Sequence, residues 1–266
     1  MNKNIEVRLK KLNDSFKSCG LDLSIAFNAI RGIKVYLHDY YKFKKQKGTD
    51  TLFPFGKFWP VFGDRYTKSG TMKGHYFHQD LYVARKIFNN NPVRHIDIGS
   101  RTDGFVAHVA VFREIEIIDV REQISKVKNI TFKKADLMQL PEGMLDCCDS
   151  LSSLHAIEHF GLGRYGDPVD YNGHLKGIET MTKMLKSGGK FYFSVPMGRQ
   201  RVEFNAHKVF SLRYLLDIIK DKYTLDSLSF IDDKGDFVEN VTLNDKDIDA
   251  NYGCNWGCVI FELTKV

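Results

Sequence analysis

Val-Arg-His-Ile-Asp-Ile-Gly-Ser-Arg-Thr-Asp-Gly, residues 93–104, passes from an apolar run to a polar, glycine-bounded loop within a dozen positions. Ile96 and Ile98 read as the buried side chains of a strand in a parallel sheet. The run breaks at Gly99, the loop closes at Gly104, and 105–112 reads as a helix. A strand, a glycine-bearing turn and a helix form the opening unit of a nucleotide-binding α/β domain, because such a turn brings backbone amides close to a ligand.

Downstream, strands and helices alternate. Glu116–Asp119 and Ile130–Asp136 read as strands that each end in an acid, and Leu145–Leu154 as a fourth strand running into His155-Ala-Ile-Glu158-His159. A glycine-rich loop follows, then a helix carrying Leu175, Ile178, Met181 and Leu185, stopped by Gly188-Gly189. Lys190–Pro196 reads as a fifth strand, 211–220 as a helix, and 223–231 and 258–263 as the last strands. This alternation predicts a doubly wound, mainly parallel α/β sheet of Rossmann-like type, with its ligand outside the strand carboxyl ends.

Upstream, Ile5, Leu9, Leu12, Phe16 and Cys19 recur at helical spacing up to Gly20, and a second helix carries Leu23, Phe27, Ile30 and Leu37. Residues 48–74 turn irregular and aromatic, and these rings are expected mainly as core filler, some as walls of an acceptor pocket. The segment from Gly74 to Asn90 reads as a helix docking beside the first sheet strand. The expected division is a helical, aromatic-rich extension or lid over 1–90 and a ligand-binding domain over 91–266.

The 266 residues suffice for one α/β domain with an extension. The net charge of +6 is modest and spread out, apart from Lys42, Lys44, Lys45 and Lys47, which read as a solvated loop. With no arginine-rich helix or basic–aromatic repeat, nucleic acid is not an expected partner. Five cysteines without zinc spacing point to reduced thiols. Met1-Asn2-Lys3-Asn4 leads into a charged amphipathic segment, and no apolar run reaches membrane-spanning length, so the expected location is cytoplasmic. No feature sets an oligomeric state.

The ordered set Asp97-Ile-Gly99, Asp119, Ala135-Asp136-Leu137, Ser153-Leu-His155-Ala-Ile-Glu158-His159 and Leu185–Pro196 resembles a class I S-adenosylmethionine-dependent methyltransferase over about 90–264. With His75–Asp80 and Asn205–Ser211 included, the chain is similar to a branch associated with bacterial surface-polysaccharide (capsule) biosynthesis. The resemblance implies S-adenosyl-L-methionine as cofactor, contacted by Asp97, Gly99, Ser100, Arg101, Asp119, Val120, Asp136, Leu137 and Ser153. In it Asp119 holds the ribose hydroxyls, Asp136 accepts from the adenine amine and the loop lies beneath the amino-acid moiety. Asp119 follows Asp97 by 22 residues, the order of spacing expected of a ribose-binding acid. Arg101 and Asp103 stand where the family usually has glycine; Arg101 is a candidate partner for the cofactor carboxylate, with a surface ion pair as its alternative.

Methyl transfer from a sulfonium needs alignment, and an alcohol acceptor also needs a base. The candidates are His155, His159 and His207, with Glu158 beside them. On a helix His155, Glu158 and His159 would share a face, where a metal is the lesser alternative to hydrogen bonding. The implied function is O-methylation of a small polar acceptor such as a sugar or sugar nucleotide. The alternatives are a cofactor-binding relative without chemistry, acting as a partner subunit, and a nicotinamide-dependent oxidoreductase.

Overall fold

The computed structural model describes Phe16 and residues 20–266. The first expected helix, built on Ile5–Cys19, lies almost wholly outside them. Two compact units divide between Thr71 and Met72.

In the first unit, helix α1 (Leu23–Lys47) starts at Asp22, whose side chain accepts from the Ser24 amide at 2.9 Å, and stops at Gly48 with φ +51°. The cluster Lys42–Lys47, expected in a loop, forms its last turns, where cations face the negative helix terminus. Gly32 is the buried residue of α1: a Cβ there would sit 1.8 Å from the Phe62 carbonyl oxygen. The aromatic residues that follow are not core filler. Phe53, Phe58 and Trp59 are 75–84% exposed. Some of these rings pair edge-on with α1, as Phe58 and Phe62 do with Tyr36.

The second unit carries an eight-stranded sheet in the order β3-β2-β1-β4-β5-β10-β8-β9. The strands are β1 (His95–Ile98), β2 (Ile115–Asp119), β3 (Ile130–Lys134), β4 (Cys148–Leu154), β5 (Leu185–Met197), β8 (Tyr223–Ile231), β9 (Phe237–Val238) and β10 (Gly257–Lys265). β1 to β5 are parallel, and β10 runs antiparallel between β5 and β8. A separate hairpin joins β6 (Arg201–Glu203) to β7 (His207–Val209).

Helix α2 (His75–Asn90) and the segment through α3 (Ala107–Ala110) cover one face, burying Val83, Ile87, Phe105 and Val109 against Ile117 and Leu154. α4 (Gly173–Met184) and α5 (Leu212–Ile219) cover the other, with Met181, Met184, Leu212 and Leu215 against Ile98 and Ile118; a short α6 (Asp245–Asp249) follows β9. The doubly wound, mainly parallel sheet expected from the alternation is therefore present. The boundary expected at residue 90 is replaced by one at 71/72, because α2 packs on the sheet. β5 begins at Leu185, so Gly188-Gly189 lies within a strand instead of ending a helix.

Candidate active site

A cavity of about 490 Å³ lies at the carboxyl ends of the parallel strands, beside the β1/β4 switch in strand order. Its walls follow the strand ends: Gly99 and Arg101 after β1, Asp119 to Arg121 at β2, Ala135 to Met138 after β3, and His155, Glu158 and His159 after β4. His75, Tyr76, Arg164, Tyr165, His207 and Trp256 complete it.

Three residues expected at the cofactor lie beneath this cavity instead of lining it. Asp97 is fully buried and accepts from the Ser100 amide (3.1 Å), Ser100 Oγ (2.6 Å) and Ser152 Oγ (2.5 Å). Ser100 Oγ in turn accepts from the Leu154 amide at 3.1 Å, and Ser153 Oγ donates to the Ile98 carbonyl at 3.2 Å. Together they tie the loop after β1 to β4, which is why an acid and serines occupy sheet-interior positions. Burial pushes the Asp97 carboxyl up to about 6. The chain of bonds continues to His95, buried between Ser150 Oγ (2.8 Å) and Ser152 Oγ (3.1 Å) and held neutral by burial, its pKa down to about 3. Gly99 sits at φ +69°, with an added Cβ 3.0 Å from the Ala156 Cβ, so both conformation and space favour glycine.

Asp119, Val120, Asp136 and Leu137 do line the cavity. Asp119 is not vacant: Arg121 forks onto it through Nε (3.0 Å) and Nη2 (2.7 Å), while its own amide donates to Oδ1 at 2.8 Å. The Arg121 guanidinium lies 4.3 Å from the Tyr165 ring centroid, which fixes it beside the acid. Asp136 Oδ1 accepts from the Met138 amide at 2.9 Å. Arg101 lines the cavity yet is paired bidentately with Asp103 (3.0 and 2.8 Å), and lies over the Tyr76 ring.

Beyond β4 the expected helix face does not form. His155 has φ +51°, and only Ile157–His159 makes a short 3₁₀ turn. The residues still converge through hydrogen bonds. His155 Nδ1 donates to Glu158 Oε1 at 2.7 Å, and its amide donates to the Ser194 carbonyl at 3.0 Å. His155 Nε2 faces Nδ1 of His75 at 3.1 Å, the two rings stacking 5.0 Å apart. Burial alone would lower the His155 pKa, but Cys258 and Glu158 outweigh it and hold the imidazole well above its ordinary value. Glu158, also buried, is held below the ordinary carboxylate range by His155. Its Oε2 has no hydrogen-bond partner among the described residues. Burial takes His75 down to about 4, so it is the neutral member of the pair.

His159 and His207 differ in what is left free. His159 Nδ1 donates to the Ala206 carbonyl at 2.7 Å, which leaves Nε2 as its acceptor nitrogen, and burial holds the ring below the usual histidine pKa. His207 lies on β7, and its Nε2 is bonded to Glu203 Oε2 at 2.8 Å across the hairpin.

His75, Arg121, Trp256 and Cys258 were not singled out from the sequence as site residues. The partner of His75, His155, lies 80 residues off in the chain, so no local spacing marks it, whereas Arg121 pairs with Asp119 only two residues before it.

A family profile described as Caenorhabditis protein of unknown function, DUF268, matches residues 99–242. No curated protein matches the chain in sequence. Among solved structures it is similar to the Burkholderia thailandensis 1,6-didemethyltoxoflavin-N1-methyltransferase with bound 1,6-didemethyltoxoflavin and S-adenosylhomocysteine. The TM-score is 0.50 at 12% identity, over 88% of each chain. A chain in the complex of the Haloferax volcanii Trm112 methyltransferase activator gives 0.50 at 13% identity, over 71% of this chain and 89% of that one. The 4+2 cyclase SpnF also gives 0.50 at 13%, over 71% and 80%. The sheet is thus of the Rossmann-like methyltransferase type. A cyclase among the neighbours illustrates why function has to be argued from the site.

Proposed function

The chain belongs to the family described as Caenorhabditis protein of unknown function, DUF268, and we propose that it is an S-adenosylmethionine-dependent methyltransferase that O-methylates a small polar acceptor, a sugar, sugar nucleotide or related precursor of a surface glycan. The observation that carries the proposal is one cavity joining acids at the ends of β2 and β3 to a buried histidine–glutamate cluster after β4.

The residues present fit the cofactor. Asp119 and Asp136 supply acceptors for ribose hydroxyls and an adenine amine, and Ile98, Ile118, Ala135 and Leu137 line an apolar slot between them. The Arg121 fork does not exhaust Asp119, since a carboxylate offers about four lone-pair sites. Gly99 leaves open the space that a side chain would fill. When bound, the cofactor supplies an electrophilic methyl on a good leaving group.

The protein's own part is to orient the acceptor, exclude water and receive a proton. Tyr76, Arg164, His207 and Trp256 offer a polar and aromatic wall suited to a hydroxylated ring. His159 Nε2 is the base in this mechanism: its ring is held neutral by burial, and the Ala206 carbonyl fixes the tautomer. His155, committed through both nitrogens, orients instead of abstracting. The acceptor hydroxyl's proton goes to His159 as its oxygen takes the methyl.

The glycan assignment comes from the sequence resemblance, to which the cavity wall adds chemical compatibility. The second reading, a cofactor-binding chain without chemistry, has the closed Arg101–Asp103 and Asp119–Arg121 pairs on its side. Calorimetric titration with S-adenosylmethionine and with NAD, followed by mass spectrometry of sugar-nucleotide mixtures incubated with enzyme and cofactor, tests the proposal. Tight binding of the first ligand alone, with a methyl gained by one precursor, is the expected result. Binding without any methyl gain favours the second reading, and a preference for NAD removes both.

A further inference from the structure

Nδ1 of His75, Nε2 of His155 and Sγ of Cys258 come from the start of α2, the end of β4 and the start of β10, yet all three atoms lie within 4.8 Å of one another. We infer that these three atoms form a binding site for one divalent cation of the zinc class, a site independent of S-adenosylmethionine. The face expected from the sequence, His155 with Glu158 and His159, is not this site. Glu158 is engaged by His155 Nδ1, and His159 Nδ1 by the Ala206 carbonyl.

Each donor is held in place. His155 is fixed by its amide bond to Ser194 and by its Nδ1 proton on the Glu158 carboxylate, so Nε2 is the nitrogen turned to His75. A carboxylate behind an imidazole is the arrangement that orients a metal-binding histidine and raises its basicity. The His75 ring stacks on Trp256, with ring centroids 6.2 Å apart. Cys258 is fully buried in the sheet, between Pro196 and Ile231, and its thiol lies 3.7 Å from both Gln79 Oε1 and the Val259 carbonyl.

The spacing suits tetrahedral coordination. Zinc–nitrogen bonds of about 2.05 Å place two imidazole nitrogens roughly 3.3–3.4 Å apart, and a thiolate about 3.6 Å from each. The two nitrogens are 3.1 Å apart and Sγ lies within 4.8 Å of both, so the set closes on a metal with shifts of about 1.2 Å or less. Two imidazoles and a thiolate select zinc, cobalt or copper over magnesium or calcium. On binding, the thiol proton and the proton between the two histidines leave to solvent as the metal takes their place. His75 and His155 line the cavity while Cys258 lies behind them, so the fourth position opens to the cavity. Three protein ligands with an open fourth position is the pattern of a zinc site that takes an oxygen ligand, here water or an acceptor hydroxyl.

Cobalt(II) titration of the full, chelator-treated chain tests this without cofactor. One equivalent should give intense tetrahedral d–d bands and a thiolate-to-cobalt charge-transfer band, both bleached by zinc. Cys258→Ser should lose the charge-transfer band. Because that position is in the core, His75→Ala at the helix start is the second variant and should weaken binding by more than about tenfold, with Glu158→Gln weakening it by about tenfold. A wild-type chain without the charge-transfer band, a band unchanged in Cys258→Ser, or His75→Ala titrating like wild type would overturn the inference. Since S-adenosylmethionine binding is measured separately, a chain can pass one test and fail the other.

Discussion

At the scale of single residues, function turns on which ring nitrogens are spoken for. His155 uses both, His207 uses Nε2, and His159 keeps Nε2. His159→Gln should therefore lower kcat by about 10²–10⁴-fold with cofactor affinity unchanged. His207→Ala should chiefly raise KM, and steady-state kinetics with calorimetry separates the two. A wild-type kcat in His159→Gln would remove the base assignment. Beneath the cavity, His95 and Asp97 titrate in opposition. His95 is lowered from 6.5 to about 3, so its contribution to stability is present above 6.5 and lost as the pH falls. Asp97 is raised from 3.8 to about 6, so the folded state takes up its proton first and gains stability as the pH falls from 6 toward 4. Between those pH values the two nearly cancel. In His95→Asn the Asp97 contribution stands alone, and the unfolding free energy relative to wild type should rise by about 1.4 kcal/mol per pH unit on going from 6 to 4. Urea unfolding across that range measures it, and a parallel pH dependence in both proteins would refute the coupling.

At the scale of elements, the loop after β1 shows why glycine is needed at one position and dispensable at others. Arg101 and Asp103 stand where the resemblance expects glycine, and they are accommodated because their side chains pair with each other at the surface. Gly99 has no such freedom. Gly99→Ala should cost about 1–3 kcal/mol in urea unfolding, from the left-handed backbone and the contact with Ala156, and weaken S-adenosylmethionine binding. A variant as stable as wild type would show that the loop re-forms without strain. The strands were legible in the sequence because β-branched runs have a short, local period: β2 falls where Glu116–Asp119 predicted it, and β3 starts at Ile130 as expected but stops at Lys134, two residues before Asp136. The segment 155–159 was misread because helical spacing fits it, whereas the left-handed His155 is set by its bond to β5 and its salt bridge to Glu158. The aromatic segment 53–62 was misread as core because aromatic composition signals burial only where a second layer covers it. Asp97 was legible as a special acid, but not whether it faces ligand or loop, which depends on Ser152 across the sheet.

At the scale of the whole molecule, the strand order fixes one cavity beside the β1/β4 switch and gathers into it groups that no local pattern connects. A ligand held only by the folded arrangement must stabilise it by mass action. S-adenosylhomocysteine at about one hundred times its dissociation constant should add about 2.7 kcal/mol, which in a chain of this size raises Tm by about 5–10 °C. NAD should not. Asp119 and Arg121 decide the size of that shift in opposite senses. Asp119→Ala removes the acceptor for two hydroxyls, each charge-assisted bond being worth about 1.5–3 kcal/mol, and should abolish the shift at the same ligand concentration. Arg121→Ala removes the fork that occupies Asp119 while leaving the carboxylate in place, so the shift should persist or grow. If Arg121 instead completes the ribose site, both variants lose the shift together. If Asp119→Ala keeps the full shift, the ligand lies elsewhere in the cavity, and the assignment of the β2 end to the ribose is wrong. Differential scanning fluorimetry on the three proteins, each with and without ligand, distinguishes these outcomes in one experiment.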